Sequence, residues 1–306
     1  MDDISKQLLK QIADLDSMPQ GAYNFRVNGK SEARQSTSEI EIKPKLDKPG
    51  IDIIIKPNTK NKSVHIPVML SQAGFNDVVY NDFYVGENCD VTIVAGCGIY
   101  NCSSKLSEHD GIHVFHIDKN AKVKYIEKHL GIGTSEAERV LNPTTKVFMK
   151  ENSFMEMETT QIKGVTYADR KTFATVGKNA KLVIKEKILT AEEQTAKTNF
   201  KVKLMGKKSS VEVVSRSVAR DKSKQTFKSM VEGKNECFGH VECDGIILDK
   251  GQIVSIPEIK AKHTESTLVH EAAIGKIAGD EIIKLQTLGL TEKEAEDAII
   301  ASFMLE

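Results

Sequence analysis

The sequence predicts a mainly β protein, built as a parallel β-helix with helical segments at both ends. Three observations lead to this prediction. From about residue 37 the chain consists of short runs rich in Val, Ile and Thr, separated by Gly, Asn, Lys and Asp. Several of these runs form a repeat that is typical of a stacked array. Apolar residues at helical spacing occur at the two ends of the chain.

A helix is predicted at the N-terminus. In DDISKQLLKQIADL, Ile4, Leu8, Leu9 and Ile12 recur at helical spacing, and SMPQG follows as a stop signal. Residues 1–36 are therefore assigned to an N-terminal helical segment.

Five segments of the β region share a polar turn, a small residue and an alternating strand. They are ENCDVTIVAGC, KNAKVKYIEKH, ENSFMEMETTQ, KNAKLVIKEKI and KKSSVEVVSRS. Their apolar anchors step along the chain by 32, 32, 27 and 29 residues and are Val91, Val123, Met155, Leu182 and Val211. A sustained period in this range indicates stacked coils, each containing two or more strands.

Two further columns of the repeat fit the interior of such a stack, because alternation at period 2 places them on the same face as the anchors. The column before the anchors is small: Cys89, Ala121, Ser153, Ala180 and Ser209. The column after them is apolar: Ile93, Tyr125, Met157, Ile184 and Val213. Two-residue hairpin signals are missing between the runs, which favours a parallel β-helix over a propeller or up-and-down hairpins. Residues 37–270 are assigned to this core.

The turns of the repeat carry Asn88, Asn120, Asn152 and Asn179. Asn tolerates left-handed backbone better than most residues. These positions are therefore expected to be tight turns between coils.

Two short helices are predicted at the C-terminus. In GDEIIKLQTLGL, Asp280 is the expected N-cap and Gly289 the expected end, and TEKEAEDAIIASF opens with a capping box from Thr291 to Glu294. Such a pair cannot bury its own apolar faces. Residues 271–306 are expected to close the open end of the core or to dock a partner, and both readings stay open.

The composition excludes several classes of function. The 43 Lys and Arg residues balance 43 Asp and Glu residues, which argues against nucleic acid and anionic membranes as partners. No signal-type segment and no long apolar stretch is present, and five cysteines favour a reduced, cytoplasmic setting. The chain contains no GxxxxGK[ST], GxSxG, HExxH or CxxC motif, so it is expected not to be a hydrolase or redox enzyme.

In a stacked array, residues separated by one coil length lie next to each other in space. This makes the neighbours of Cys243, in GHVECDG, predictable from the sequence. If the last coil keeps a 27-residue step, His270 and Glu271 lie next to Cys243, a mixed ligand set suited to iron or zinc. Cys97 and His129 both lie six residues after their anchors and form a second pair.

The alternative for every cysteine is a small buried residue, which is the commoner role of a free thiol. Packing is favoured for Cys89, in its column of Ala and Ser. Cys97 and Cys102 flank GIYN as a possible pair of loop thiols, and for Cys243 the residues alone leave packing and ligation open.

Several motifs in order resemble the SufB/SufD family, the core scaffold proteins of SUF iron-sulfur cluster assembly. VARDKSKQTFKSMVEG, GHVECDGIILDKG, IPEIKAKHTESTLVHEAAIGKI and LGLTEKEAEDAIIASF resemble its C-terminal half, and IVAGCGIYNCSSKLSEHDGIHV resembles a segment upstream. The likeness covers most of the chain from about residue 60 and implies a right-handed parallel β-helix with flanking helices. The short chain and its retained Cys243 look most like the minimal SufB-like proteins that pair with SufC alone.

The resemblance implies roles for individual residues. Cys243 matches the cysteine on which the nascent cluster is built, and His270 and Glu271 match a polar pair beside it at a subunit interface. These three are the expected ligands of a transient iron-sulfur cluster of unknown type. Cys97 matches the cysteine at which sulfur enters before it passes along the interior of the β-helix. Cys102 and Cys237 have no firm counterpart in the family, and together with His129 they are further candidate ligands.

The resemblance also implies partners. Residues 271–306 are expected to dock SufC, an ABC-type ATPase, and the scaffold to act as a homodimer or as a heterodimer with a paralogous scaffold. The sequence identifies neither the sulfur donor nor the acceptor proteins. The alternative is a SufD-like structural partner, which dimerises and docks the ATPase without binding a cluster. A polysaccharide-active β-helix is disfavoured because the chain has no Trp.

Overall fold

The computed structural model describes residues 2–134 and 136–305. Its helices are α1 (Asp3–Ala13), α2 (Gly279–Thr287) and α3 (Glu292–Leu305). Its first ten strands are β1 (Ala22–Val27), β2 (Lys30–Gln35), β3 (Ile40–Pro44), β4 (Gly50–Ile55), β5 (Lys60–Leu70), β6 (Asn76–Val85), β7 (Asp90–Asn101), β8 (Ser107–Ile117), β9 (Lys122–Gly133) and β10 (Arg139–Leu141). The others are β11 (Thr144–Met149), β12 (Phe154–Lys163), β13 (Tyr167–Val176), β14 (Lys181–Thr190), β15 (Thr195–Leu204), β16 (Ser209–Ala219), β17 (Lys224–Gly233), β18 (Cys237–Ile247), β19 (Gln252–Ala261) and β20 (Ser266–Gly275).

The strands form two sheets that the chain visits in turn. Sheet A has the order β2-β1-β5-β7-β9-β12-β14-β16-β18-β20, and sheet B has the order β19-β17-β15-β13-β10-β8-β6-β4-β3, with β11 also between β8 and β13. From β5 onward the paired strands run parallel. The architecture is a β-solenoid with helices at both ends, which confirms the predicted parallel β-helix. None of the described helices has the length and apolar character needed to cross a membrane.

The predicted anchors form one continuous interior column. Val91 pairs with Val123, Val123 with Met155, Met155 with Leu182, and Leu182 with Val211. All five are at most 3% exposed, and the small and apolar columns on either side of them are equally buried. The unequal steps of 32, 27 and 29 residues are therefore real differences in coil length, which the turns and the irregular strands of sheet B absorb.

Asparagines at one turn of each coil form a hydrogen-bonded ladder. Asn88, Asn120 and Asn152 each have φ of 58°, and Asn179 has φ of 52°, as predicted for left-handed turn positions. Each side-chain amide donates to the amide oxygen of the asparagine one coil before, over 3.0–3.3 Å. The ladder stabilises the turns because each side-chain amide is hydrogen-bonded to a neighbouring coil, while the backbone amides of the same asparagines donate to backbone carbonyls.

Helix α1 packs on the outer face of sheet A. Asp2 accepts a hydrogen bond from the Ser5 amide (2.7 Å) and so caps the helix, while Leu8 and Ile12 are fully buried against β7 and β9. Gly96 permits this close approach, because a Cβ there would lie 2.9 Å from the Ile12 carbonyl oxygen. The helix therefore covers the strand that carries Cys97.

The N-terminal segment also contains an antiparallel hairpin, β1 and β2, which the prediction of a helical segment over residues 1–36 did not include. Asn28 and Gly29 form its turn with φ of 45° and 76°. Asn-Gly is the strongest short hairpin signal, so the sequence contained this information.

The C-terminal helices follow the prediction with two differences. The capping box is present: the Thr291 amide donates to Glu294 (2.8 Å) and the Glu294 amide to the Thr291 hydroxyl (3.3 Å). Asp280 is not the N-cap, because α2 begins one residue earlier and Ala278 occupies that position. Strand β20 continues to Gly275, five residues beyond the predicted end of the core at residue 270.

The Asn ladder can be tested at Asn120. We expect Asn120→Ala to destabilise the protein more than Asn120→Gly, by about 1 kcal/mol, because both lose the ladder but only Ala strains in left-handed backbone. Urea unfolding of the two variants and the native chain measures the difference. A glycine variant that is less stable than the alanine variant would show that φ at this turn is not the constraint.

Candidate functional site

One column of the solenoid interior is polar. It lies two positions after the apolar column of Tyr125, on sheet A, and its members are register partners of one another. Each of them is at most 3% exposed. The polar column, as we call it, consists of Glu127, Thr159, Glu186, Ser215 and Cys243.

Arg170 reaches into the polar column from sheet B. Its guanidinium forms an ion pair with Glu127 and lies 3.5 Å from the Glu186 carboxylate. Thr198 and Ser215 donate hydrogen bonds to Glu186, over 3.0 and 3.3 Å. Charged groups this deeply buried require such partners, because desolvation of an unpaired ion is costly.

The two carboxylates of the polar column differ in pKa. Burial raises the pKa of Glu127, but Arg170 and His129 outweigh burial and hold it well below the usual value. Burial raises the pKa of Glu186, and here Arg170 offsets the effect only in part. The guanidinium is therefore paired mainly with Glu127, and Glu186 takes up a proton more readily.

Cys97 and His129 are register partners on β7 and β9, as the spacing predicted. Both are buried, and the His129 Nδ1 lies 3.0 Å from the Arg170 guanidinium. Burial raises the pKa of the Cys97 thiol well above its usual value, and Asp77 and Glu127 add to the effect. The cysteine is therefore a neutral thiol beside the first member of the polar column.

A small cavity with a mixed polar and apolar lining adjoins Cys97. Its volume is about 10 Å³, room for one water-sized atom. Three histidines line it together with Cys97 and Glu127: His109, His113 and His129.

His109 and His113 are functional candidates that the sequence analysis did not select. They are four residues apart, so both point inward from β8; His109 contacts Asp77 (3.1 Å) and His113 contacts the Tyr125 hydroxyl (2.8 Å). Tyr125 in turn donates to Glu127 (2.9 Å). Residues separated by an even number of positions lie on the same face of a strand, and this spacing in the sequence could have identified both histidines.

The structure corrects the predicted register at Cys243. Its partner on β20 is Ala272, because the last coil has 29 residues and not 27. His270 pairs with Val241 and Glu271 with Glu242. His270 therefore shares the inward face of Cys243 at the next coil, two positions away, whereas Glu271 lies on the outer face.

Cys243 ends the polar column in a fully buried position. Burial raises the pKa of its thiol to about 11, although a hydrogen bond with Ser255 acts in the opposite direction. A metal bound at this sulfur must displace a proton.

His270, near Cys243, has a ring nitrogen without a hydrogen-bond partner in the described chain. This nitrogen is Nε2, and it is buried. Burial and the neighbouring His240 lower its pKa, so the ring is neutral at physiological pH. A neutral imidazole with a free ring nitrogen is suited to metal ligation.

The outer face of this coil is acidic. Glu271 is 66% exposed and lies 3.4 Å from the His240 Nε2. Glu242 has a raised pKa, caused first by its hydrogen bond with Asp244 and then by burial. In residues 2–134 and 136–305 no three His, Cys, Asp or Glu side chains are grouped so that they could hold a metal ion.

The other cysteines and His129 lie apart from Cys243. Cys89 packs in the small column and contacts the Lys56 carbonyl, as expected, and Cys237 contacts Ser266 at the start of the last coil. Cys102 is exposed after β7, five strand spacings or about 24 Å from the strand of Cys243. Both ring nitrogens of His129 face charged neighbours.

The C-terminal end of the solenoid is open. Strands β19 and β20 are the last strands of their sheets in the described chain, so each has an unpaired edge. Apolar side chains are 36–48% exposed on these strands: Val254, Ile256, Ile259, Val269 and Ile274. An edge of this kind is a ready template for another chain.

Comparison of the chain with known proteins finds a matching family model and several relatives. A family model described as "SUF system FeS cluster assembly, SufBD core domain" matches residues 75–303. An iron-sulfur cluster assembly SufBD family protein of Methanothermobacter thermautotrophicus (strain Winter) is 31% identical over 232 residues, which are 74% of this chain and 54% of that protein.

Two further archaeal relatives carry the same family name. The protein of Archaeoglobus fulgidus is 30% identical over 74% of this chain and 60% of its own length. That of Methanocaldococcus jannaschii is 26% identical over 81% of this chain and 78% of its own length. The chain thus spans between about half and three fifths of the first relatives it matches.

The buried histidines predict a pH-dependent stability. The folded pKa of His113 is lowered by burial to about 4 from 6.5, so the unfolded chain binds more protons between these values. We expect the free energy of unfolding to fall by about 3 kcal/mol from this residue as the pH drops from 6.5 to 4. Urea titrations should show a shallower fall in His113→Gln. The exposed His263→Gln serves as control, and an equal slope in all three chains would contradict the assignment.

Proposed function

The chain belongs to the SufBD family of the SUF system for FeS cluster assembly, and from this premise we propose that it is a scaffold that builds a cluster at Cys243. The polar column carries the proposal. An apolar interior would stabilise the solenoid at lower cost, because buried ions lose their hydration. A buried polar line that ends on a thiol is what sulfur delivery to that thiol requires.

We propose that sulfur enters at Cys97, where the thiol takes the outer sulfur of a donor persulfide and the donor's thiol leaves. The polar column has no thiol before Cys243, so we propose that a two-electron thiol reductant releases this sulfur as hydrosulfide, leaving as a disulfide, and that the hydrosulfide moves along the column. Contacts run from His129 to Arg170 (3.0 Å), from Arg170 to Glu186 (3.5 Å) and from Glu186 to Ser215 (3.3 Å). Ser215 is the register partner of Cys243. Arg170 provides positive charge that would stabilise a hydrosulfide anion in this buried environment.

Cys243, His270 and Glu271 are the proposed ligands of the growing cluster, which is cargo and leaves with its acceptor. The thiol and the imidazole lie on one face of adjacent strands, and Glu271 lies on the other. Iron would have to displace the thiol proton, which the raised pKa of Cys243 opposes while the site stays buried. Exposure of the open end is therefore the proposed switch.

A second copy of the chain is the proposed partner at the open end. Strand edges and half-exposed apolar side chains meet there, which matches the apolar centre of homodimer interfaces. Two copies would bring their His270 and Glu271 side chains to one interface and supply the ligands that a single chain lacks.

A SufC-like ATPase is the proposed partner of residues 271–306. Helix α3 rests on the outer face of sheet A, where Arg216 stacks on Phe303 (5.2 Å). Ile283 and Leu288 on the α2 side stay 58% and 79% exposed, an apolar surface that a partner can cover. Movement of these helices by an ATPase would act on strands β16 and β20, next to Cys243.

Anaerobic reconstitution with Fe²⁺ and sulfide tests the assembly role. We expect the native chain to gain visible sulfide-to-iron charge-transfer absorption, and Cys243→Ala to lose at least about tenfold in iron affinity, because a thiolate ligand is removed. Cys89→Ala is the matched control, since it removes an equally buried thiol from an apolar column. A native chain that acquires no cluster would favour the SufD-like alternative, a structural partner without a cluster, whereas equal cluster content in all three folded chains would rule out Cys243 as a ligand.

The proposed homodimer can be tested at Ile259, which points inward like its partner Val231 but is 44% exposed at the open end. We expect Ile259→Glu to weaken self-association at least about tenfold, because an inward charge blocks edge pairing. Sedimentation velocity over a concentration series measures the effect. Leu46→Glu, at a fully exposed position, is the control, and a dimer that tolerates Ile259→Glu would place the interface elsewhere.

A further inference from the structure

A ladder of aromatic rings lies on the outer face of sheet B. Tyr84, His116 and Phe148 occupy the same register position on β6, β8 and β11. The Tyr84 and His116 rings stack with centroids 4.9 Å apart and 5° between their planes, and His116 and Phe148 stack at 5.6 Å and 18°. Each strand spacing therefore adds one nearly parallel ring.

The ladder stops with one ring face uncovered. The next register position after Phe148 is Thr175 on β13, and the one after that is Lys203 on β15. Thr175 is too small to cover the ring, and Phe148 remains 45% exposed. Phe173, two positions earlier on β13 and 36% exposed, forms the side of the gap. The fourth position of the stack is a slot one ring thick.

Two cavities meet at this slot. One has a volume of about 520 Å³ and the other about 230 Å³, and both are lined by Phe148 and Thr175. The first is in the size range of small-molecule sites. Five lysines face a single carboxylate, Asp118, across the two linings: Lys56 and Lys150 in the first, and Lys146, Lys201 and Lys203 in the second.

We propose that this groove binds a free purine nucleotide. The base takes the fourth place of the ladder, on Phe148 and above Thr175, because a planar ring gains most where a parallel ring face is exposed. The phosphate lies toward Lys201 and Lys203, because every charged side chain that lines the smaller cavity is a lysine. We call this groove the aromatic slot.

The aromatic slot accommodates one base and favours a free nucleotide over a nucleic acid strand. One ring position follows Phe148 in the ladder, and the next register position beyond it is Lys203, so a second base of a strand would find no further ring in the stack. The slot is also independent of the proposed scaffold function. It lies on the outer face of sheet B, whereas the polar column lies inside on sheet A.

Calorimetric titration of the full chain with AMP and GMP tests the aromatic slot. We expect saturable binding, and a loss of about tenfold in affinity in Phe148→Ala, the cost of one stacking contact. Phe238→Ala is the matched control, because Phe238 is equally exposed (49%) on the other sheet. Thr175→Phe should abolish binding in a folded chain, because it fills the fourth ring position.

The phosphate contacts have a separate test. We expect Lys201→Gln with Lys203→Gln to weaken AMP by about tenfold and to leave adenosine unchanged, because only the phosphate meets these lysines. Lys228→Gln, exposed on the next strand of the same sheet, is the control. The proposal is overturned if neither purine nucleotide binds up to about 1 mM. It is also overturned if Thr175→Phe binds as the native chain does, or if a single-stranded tetranucleotide binds far more tightly than AMP.

Discussion

Parallel, in-register stacking of the coils is the constraint on which the rest of the structure depends. It places every side chain about 4.8 Å from its partners one coil away. Residues of one type then form columns: valine and methionine in the core, asparagine at the turn, aromatic rings outside and polar groups in the line that ends at Cys243. Chemistry in such a fold spreads along the solenoid axis, over several coils, and does not collect in one cleft.

The polar column shows what this arrangement costs. Glu127 and Glu186 occupy positions where neighbouring columns hold apolar residues, and one arginine serves both. Removal of the guanidinium would leave two carboxylates without a counter-ion, whereas apolar replacements of all three would pack without penalty. The polar column therefore lowers stability relative to an apolar one, and this cost supports the proposed passage of sulfur along it.

Much of the architecture could be predicted because the spacing between repeated segments gives the register in which their strands pair. The steps between Val91, Val123, Met155, Leu182 and Val211 gave the true strand pairs. The same alignment, read two positions further, contains the polar column, since Glu127 and Glu186 follow Tyr125 and Ile184 at period 2. The predicted neighbours of Cys243 were wrong because the 27-residue step of one coil was applied to the last coil, which has 29 residues, as does the step from Leu182 to Val211.

As the proposed cluster ligand, Cys243 has to meet two requirements that conflict within one rigid coil. A cluster ligand must become a thiolate, and burial keeps this thiol protonated. A cluster must also leave, which needs open coordination positions; the next coil is the last of the described residues, and its Ala272 and Ile274 are exposed. In the proposed scaffold, a thiol one coil from the open end would meet both requirements, because it is buried while that end is covered and the proposed exposure of the end would open it to iron.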